Sequence, residues 1–323
     1  MPLTRELRQS DPIQPGAVGA QASIDFRCLP YQGAEILRIR EACLTTGFFY
    51  LDHAFEDRRI VGATLQQMDS FFGLDDDDLR KKEVGVSATT KHGWTPMFGE
   101  PAYQAGTIAH VESFDCGKPF QSDGRSPKNA WPDLANFRGD VRQCWNALTR
   151  IGDVVLESLA LAVGVAPRTF CDRCDSHELS TMRLLHYPAN DAPVIEKNVG
   201  IAAHTDFECI TLILQTAPGL ELRDTTGSWY DAPSDKDRVV VLLGDMLERW
   251  TNGRFQATGH RVRNTNYRRC SIVLFFAVND DELVGALPEF VSNDNPARHE
   301  PVGQRQHLDR EVKRARRYRD EGG

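Results

Sequence analysis

Apolar residues recur at helical spacing in three stretches of the first half of the chain. Ile36, Leu37, Ile39, Ala42 and Cys43 predict a helix over 33–46. Ile60, Ala63, Leu65 and Met68 predict a second over 57–72. Val141, Trp145, Leu148, Ile151, Val155 and Leu159 predict a long third over 134–165. Ile24 and Phe26 open a short strand, and the aromatic run 47–51, begun by a glycine, reads as another. Four acids at 75–78 followed by Arg80, Lys81 and Lys82 suit the dipole of a helix start, and they lack the alternation of a calcium loop. The stretch 92–131 is rich in Gly, Pro and aromatic residues without clear periodicity, so it is expected to be a long irregular segment tied to function.

From Ser180 the pattern changes to short β-rich runs: 181–187, 210–215, 219–223, 229–232, 239–243, 257–262 and 271–278. Turn residues separate them, as in a sandwich or barrel. A single helical turn is expected over 245–250. After Pro288 the chain becomes polar and ends in an Arg-rich helix over 310–319, read as a solvated cap. The expected organisation is a loose leader over 1–22, one domain over 23–288 and a polar extension over 289–323. Within the domain, a helical part covers 23–175 and a β-rich core about 176–288.

Composition narrows the function. A net charge of −8 argues against nonspecific nucleic-acid binding, and 41 % hydrophobic with 26 % charged residues is ordinary for a globular protein. No apolar run approaches the roughly 18 residues of a membrane span, and the N-terminus has no apolar signal region. The eight cysteines are scattered, which fits reduced thiols in a cytoplasmic protein. Cys171 and Cys174 form a lone CxxC, read as a packed turn rather than a zinc or redox site.

One cluster carries chemistry. His204 and Asp206 are two residues apart, so in an extended segment both point to the same side. His260 lies in a second strand-like run. Two histidines and a carboxylate on one face of a metal leave the opposite positions open, as in non-haem Fe(II) oxygenases. Taken alone, an HxD with a distant His is weak evidence among nine histidines. Arg269 and Ser271 add to it, because an arginine and a hydroxyl on one face of a strand entering the core need an anionic partner. The plain alternative is a surface arginine at a strand end.

In chain order, Met182-Arg183-Leu184-Leu185-His186-Tyr187-Pro188, His204-Thr205-Asp206, Gly259-His260-Arg261-Val262 and Arg269-Cys270-Ser271 resemble the isopenicillin N synthase-like family of Fe(II)/2-oxoglutarate-dependent dioxygenases. Ile24-Asp25-Phe26 and residues 42–50 resemble that family's opening strand, helix and next strand, so the similarity runs from about 23 to about 288. The resemblance implies a mainly β fold with surrounding α-helices, built on a double-stranded β-helix (jelly roll) core. It implies that His204, Asp206 and His260 bind Fe(II), and that Arg269, Ser271 and Tyr187 hold the distal carboxylate of 2-oxoglutarate as cosubstrate. It points Arg183 and Phe207 into the substrate pocket.

The implied reaction is oxidation, foremost hydroxylation, of a C–H bond of a small molecule in natural-product or specialised metabolism. It consumes O2 and releases succinate and CO2. Retention of Asp206 argues against halogenation, where chloride takes the carboxylate's place on iron. The chain departs from the family in reading Asp52-His53-Ala54 where Asn-His-Gly is common. Trp94, Met97 and Tyr103 are candidate apolar walls or packing residues, and Arg183 hints at a polar or acidic substrate. Within the fold, the alternatives are an Fe(II) oxidase or cyclase without 2-oxoglutarate, or an ethylene-forming type. Outside it they are a zinc hydrolase or a noncatalytic metal-binding jelly roll, neither of which needs a carboxylate clamp beside the metal.

Overall fold

The β-rich second half of the chain, joined by four strands from the first half, folds into two facing sheets in a computed structural model that describes residues 22–86, 92–101, 103–118, 129–189 and 198–321. Residues 1–21 of the expected leader lie outside the described residues. The strands are β1 (Ser23–Asp25), β2 (Phe48–Asp52), β3 (Gly93–Thr95), β4 (Ile108–Ala109), β5 (Glu112–Gly117), β6 (Thr181–Tyr187), β7 (Asn198–Val199), β8 (Ile201–His204), β9 (Ile210–Gln215), β10 (Leu220–Arg223), β11 (Trp229–Asp231), β12 (Val239–Leu243), β13 (His260–Val262), β14 (Arg269–Phe276), β15 (Leu283–Val284) and β16 (Val302–Gly303). The helices are α1 (Gly33–Thr45), α2 (Arg59–Phe72), α3 (Leu79–Lys82), α4 (Phe137–Val163), α5 (Asp245–Trp250) and α6 (Gln304–Glu321).

The larger sheet has eight strands in the order β1-β2-β12-β9-β14-β6-β5-β3, and the smaller has four in the order β11-β10-β13-β8. Apart from the parallel β1–β2 pair, the pairings within both sheets are antiparallel. These are the two layers of a double-stranded β-helix core, with neither sheet closed on itself.

Side chains alternate across the larger sheet and feed two separate cores. Leu185, Tyr187, Ile213, Val240, Leu242 and Val273 point inward and pack against Leu220, Leu222 and Val262 of the smaller sheet. Leu184, Leu212, Leu214, Val241, Ile272 and Leu274 point outward and pack against Ile39 of α1, Met68 and Phe71 of α2, and Val141, Leu148 and Val155 of α4. Burying each large aliphatic side chain is worth about 1.5–3 kcal/mol, so the helical half is held on by the outward face of the sheet. The predicted helices and most predicted strands are present, with ends shifted by a few residues.

The stretch 92–131 departs from expectation. It contains β3, β4 and β5, and every residue of β5 is buried. Polarity hid this strand. Glu112, Ser113 and Asp115 are interior because each has a distant partner: Lys81 with His186, Glu100, and Arg183 respectively. Buried ionic groups survive only when paired in this way. Cys171 and Cys174 are buried free thiols, with the Cys171 thiol donating to the Asp153 carbonyl at 3.3 Å. Asp78 caps α3 by accepting from the Arg80 backbone N–H at 2.9 Å.

Helix α4 approaches the sheet closely at Gly152, where a Cβ would stand 2.3 Å from the Phe276 ring. Gly152→Ala should therefore destabilise the protein by about 1–3 kcal/mol, although alanine is the better helix former by roughly 1 kcal/mol. Urea unfolding measures this. An unchanged or raised midpoint would show that the helix–sheet contact is not close-packed there.

Candidate metal centre

His204 and His260 face each other across the β8–β13 pair, in direct register. Their ring centroids are 4.2 Å apart. Strand β8 ends at His204, so Asp206 is reached through an irregular segment and not along an extended strand as expected. It converges all the same: Asp206 Oδ1 is 3.6 Å from Nε2 of both histidines, and the three ligand atoms lie within 4.8 Å of one another. This is the one such group among the described residues.

Second-layer hydrogen bonds orient all three side chains. His204 Nδ1 is 2.8 Å from the Ala202 carbonyl, and His260 Nδ1 is 3.1 Å from that of Thr258. A carbonyl only accepts, so each Nδ1 carries the proton and each Nε2 lone pair faces the shared centre. Thr211 Oγ1 donates to Asp206 Oδ2 at 2.5 Å, leaving Oδ1 to face the histidines. Burial, then the neighbouring His260, holds His204 well below an ordinary histidine pKa. Two imidazoles and one carboxylate, pre-aimed at one point, fit a divalent metal ion with open positions.

The inner face of β14 supplies the second half of the site. Arg269 is 1 % exposed, and its Nη2 donates to Gln215 Oε1 at 3.0 Å and Ser271 Oγ at 2.9 Å. Its guanidinium lies 4.4 Å from the Tyr187 ring centroid, the residue opposite it in register. Yet Nε and Nη1 are buried with no hydrogen-bond acceptor among the described residues. A buried guanidinium with two unmatched donor nitrogens and no counter-charge costs several kcal/mol. A carboxylate fits that fork, so the residues present suit a ligand that joins an anionic group here to the metal-facing atoms.

Comparison with known proteins agrees with this geometry. Residues 179–278 match the 2OG-Fe(II) oxygenase superfamily, and residues 23–134 match the N-terminal region described as non-haem dioxygenase in morphine synthesis. The 2-oxoglutarate-dependent dioxygenase citB of Monascus ruber is 35 % identical over 275 residues, 79 % of this chain and 82 % of that protein. The chain belongs to the 2-oxoglutarate/Fe(II) oxygenases. The 2-oxoglutarate-Fe(II) type oxidoreductase hxnY of Emericella nidulans is 30 % identical over 83 % of this chain and 80 % of its own. The fold is shared with a full-length Neurospora crassa protein solved in complex with alpha-KG, at a TM-score of 0.79, 24 % identity and coverage of 91 % of this chain and 95 % of that one. This oxygenase is accordingly a 2-oxoglutarate-dependent dioxygenase that uses Fe(II).

The structure redistributes the expected pocket residues of the oxygenase. Arg183 points inward but offers no free charge: Nε and Nη2 bind both Asp115 oxygens at 2.7 Å, and Nη1 binds Glu100 at 3.1 Å. With Ser113 also donating to Glu100, two carboxylates surround one guanidinium and leave a surplus of negative charge. The Arg183 guanidinium is thus committed to Asp115 and Glu100. Trp94 is corrected. Its register partner Phe114 places it on the helix-facing side, where its indole N–H donates to Glu112 at 2.9 Å and Lys81 lies over its ring. Met97 lies half-buried just past β3.

Tyr103 stacks on the His204 ring, with centroids 4.0 Å apart and an 11° tilt, and Phe207 lies 6.2 Å from Tyr103. Sequence reasoning missed Thr211 and Gln215, although both are polar residues on the same face of the apolar strand β9. It also missed Glu100 and Glu208; burial, then the Asp206 carboxylate, pushes the Glu208 carboxyl up to about 8.

Removing the fork should split the two ligands. Arg269→Met is expected to weaken 2-oxoglutarate binding by about 2–5 kcal/mol, the cost of truncating one partner of a buried charge pair. Fe(II) binding should stay within about threefold, since no metal ligand is touched. Anaerobic calorimetry reads both, and near-normal 2-oxoglutarate affinity in the variant would dismiss the fork.

Proposed function

We propose that His204, Asp206 and His260 hold Fe(II), and that Arg269 and Ser271 with Tyr187 seat the distal carboxylate of 2-oxoglutarate. The enzyme then hydroxylates a C–H bond of a small molecule in specialised metabolism. When bound, the metal and keto acid supply O2 activation, with the keto acid leaving as succinate and CO2. The observation that carries the reading is the buried Arg269 guanidinium, whose Nε and Nη1 have no acceptor, on the same inward face as the aimed His–Asp–His set. A zinc hydrolase has no use for such a fork.

The protein's own share is placement. The Nδ1 bonds to backbone carbonyls keep both imidazoles aimed. Thr211 stops Asp206 from rotating. Tyr103 and Phe207 wall the side of the site beside His204. The surplus carboxylate among Glu100, Asp115 and Arg183 disfavours a second anion and favours a neutral substrate with hydrogen-bond donors. Relatives such as clavatol oxidase claD of Penicillium crustosum, 29 % identical, support a small-molecule role. The free buried cysteines fit a reducing, cytoplasmic setting.

The test is succinate release across a panel of aromatic and heterocyclic ester/acid pairs. The neutral member of each responsive pair should stimulate release at least tenfold more than the acid, and His204→Ala or Asp206→Ala should reduce it to background. Full turnover in either variant with Fe(II) supplied would sink the ligand assignment, and preference for the acids would sink the substrate reading.

A further inference from the structure

Asp206 hangs on a segment with no strand ladder to hold it, yet four successive backbone carbonyls from Asp206 to Cys209 are bonded. Asp206 O accepts from Asp245 N at 2.9 Å, Glu208 O from Met246 N at 3.1 Å and Cys209 O from Gly244 N at 2.9 Å. All three donors come from the corner between β12 and α5. The corner is tight, since a Cβ at Gly244 would stand 2.2 Å from the Glu208 carbonyl. The fourth carbonyl, Phe207 O, is held by a side chain: Gln304 Nε2, at 2.9 Å, from the first residue of α6. Gln304 is 0 % exposed, and its other amide atom accepts from Val278 N at 3.2 Å, just past the strand that carries Arg269.

One turn later on α6, His307 repeats the connection. Its Nδ1 accepts from Arg310 Nη2 at 2.8 Å, so its Nε2 carries the proton and donates to Asp245 Oδ2 at 2.8 Å. Asp245 is the residue whose backbone N–H holds Asp206 O. The His307 ring also meets the Phe207 ring edge-on at 6.0 Å. Helix α6 begins well beyond residue 278, where the family match ends.

We propose that α6 is a working part of the metal centre, and that Gln304 and His307 are positioning residues that fix the Asp206 carboxylate for Fe(II). The proposal rests on the reading that Asp206 is a metal ligand. Without Gln304 the Phe207 carbonyl loses its side-chain donor, and without His307 the Asp245 corner loses its brace. In either case Asp206 samples orientations that do not meet the two histidines. Outer-layer partners of metal ligands typically control affinity by about ten- to a hundredfold.

Three variants test it in the full-length protein by anaerobic Fe(II) calorimetry, with hydrogen exchange of the amides around 206–209 as a second readout. Gln304→Met and His307→Phe keep bulk but remove the donors. Both should bind Fe(II) about ten- to a hundredfold more weakly and exchange faster in that segment. Arg305→Ala breaks another anchor of the same helix, the bidentate pair with Asp280, without touching the metal segment. It should bind Fe(II) within threefold of the parent. Parent-like Fe(II) affinity in both donor-loss variants overturns the proposal, as does an equal loss in Arg305→Ala, which would make α6 a general stabiliser. If Gln304→Met fails to fold, His307→Phe decides the matter. Asp206→Ala separates the two failures. Parent-like Fe(II) affinity there defeats the ligand reading itself, whereas weak binding there beside parent-like affinity in both donor-loss variants defeats only the role of α6.

Discussion

The register of β14 between β6 and β9 is the constraint on which the rest of the structure depends. Arg269 lies opposite Tyr187, Ser271 opposite both Leu185 and Gln215, and Val273 opposite Arg183 and Ile213. Side chains alternate along a strand, so this one alignment sends Arg269, Ser271, Tyr187, Gln215 and Arg183 inward and leaves Cys270, Ile272 and Leu274 for the helices. A slip of one residue would bury aliphatic side chains in the site and drive a guanidinium against α4. The apolar packing of both faces therefore protects the register, and the register builds the clamp. The same logic brings His204 against His260 in the smaller sheet.

Much of this was legible in the sequence where a residue's role depends on near neighbours. The boundaries expected for β6, β9, β12 and α5 are those observed, because each is an uninterrupted run closed by turn residues. The His–Asp spacing and the Arg–Ser spacing are local as well, and each pair lies close together in the structure, although Asp206 is reached through an irregular segment. The rest was hidden because it depends on partners far along the chain. Strand β5 looks like a loop until Lys81 and Arg183 are brought to its acids and Glu100 to its serine. The charge of Arg183 looks available until Asp115 and Glu100, 68 and 83 residues away in sequence, consume it. Trp94 has the composition of a pocket wall, and only its pairing with Phe114 shows which side of the sheet it occupies. Gln304 reaches back 97 residues to Phe207, and nothing in its own surroundings marks it.

Electrostatics divides the inner face into regions with different tasks. At Arg269 a positive charge is buried with donors to spare. At the metal centre, two imidazoles and one carboxylate converge on one point. At Arg183 the balance tips to negative. A dicarboxylate that chelates a metal at one end satisfies the first two together, and the third then discourages a further anion from entering. Specificity on this account comes as much from what each region repels as from what it attracts.

The central claim is that one ligand is read at both ends, by the metal at its keto acid and by Arg269 at its far carboxylate. The direct measurement is an anaerobic visible titration of the Fe(II)-loaded protein with 2-oxoglutarate and, separately, with 2-oxobutyrate, which has the keto acid but not the second carboxylate. The account predicts a weak charge-transfer band that saturates with 2-oxoglutarate at low concentration and needs at least thirtyfold more 2-oxobutyrate, the lower end of what a desolvated charge pair contributes, about 2 kcal/mol. Equal potency of the two keto acids, or no band with iron bound, would contradict it.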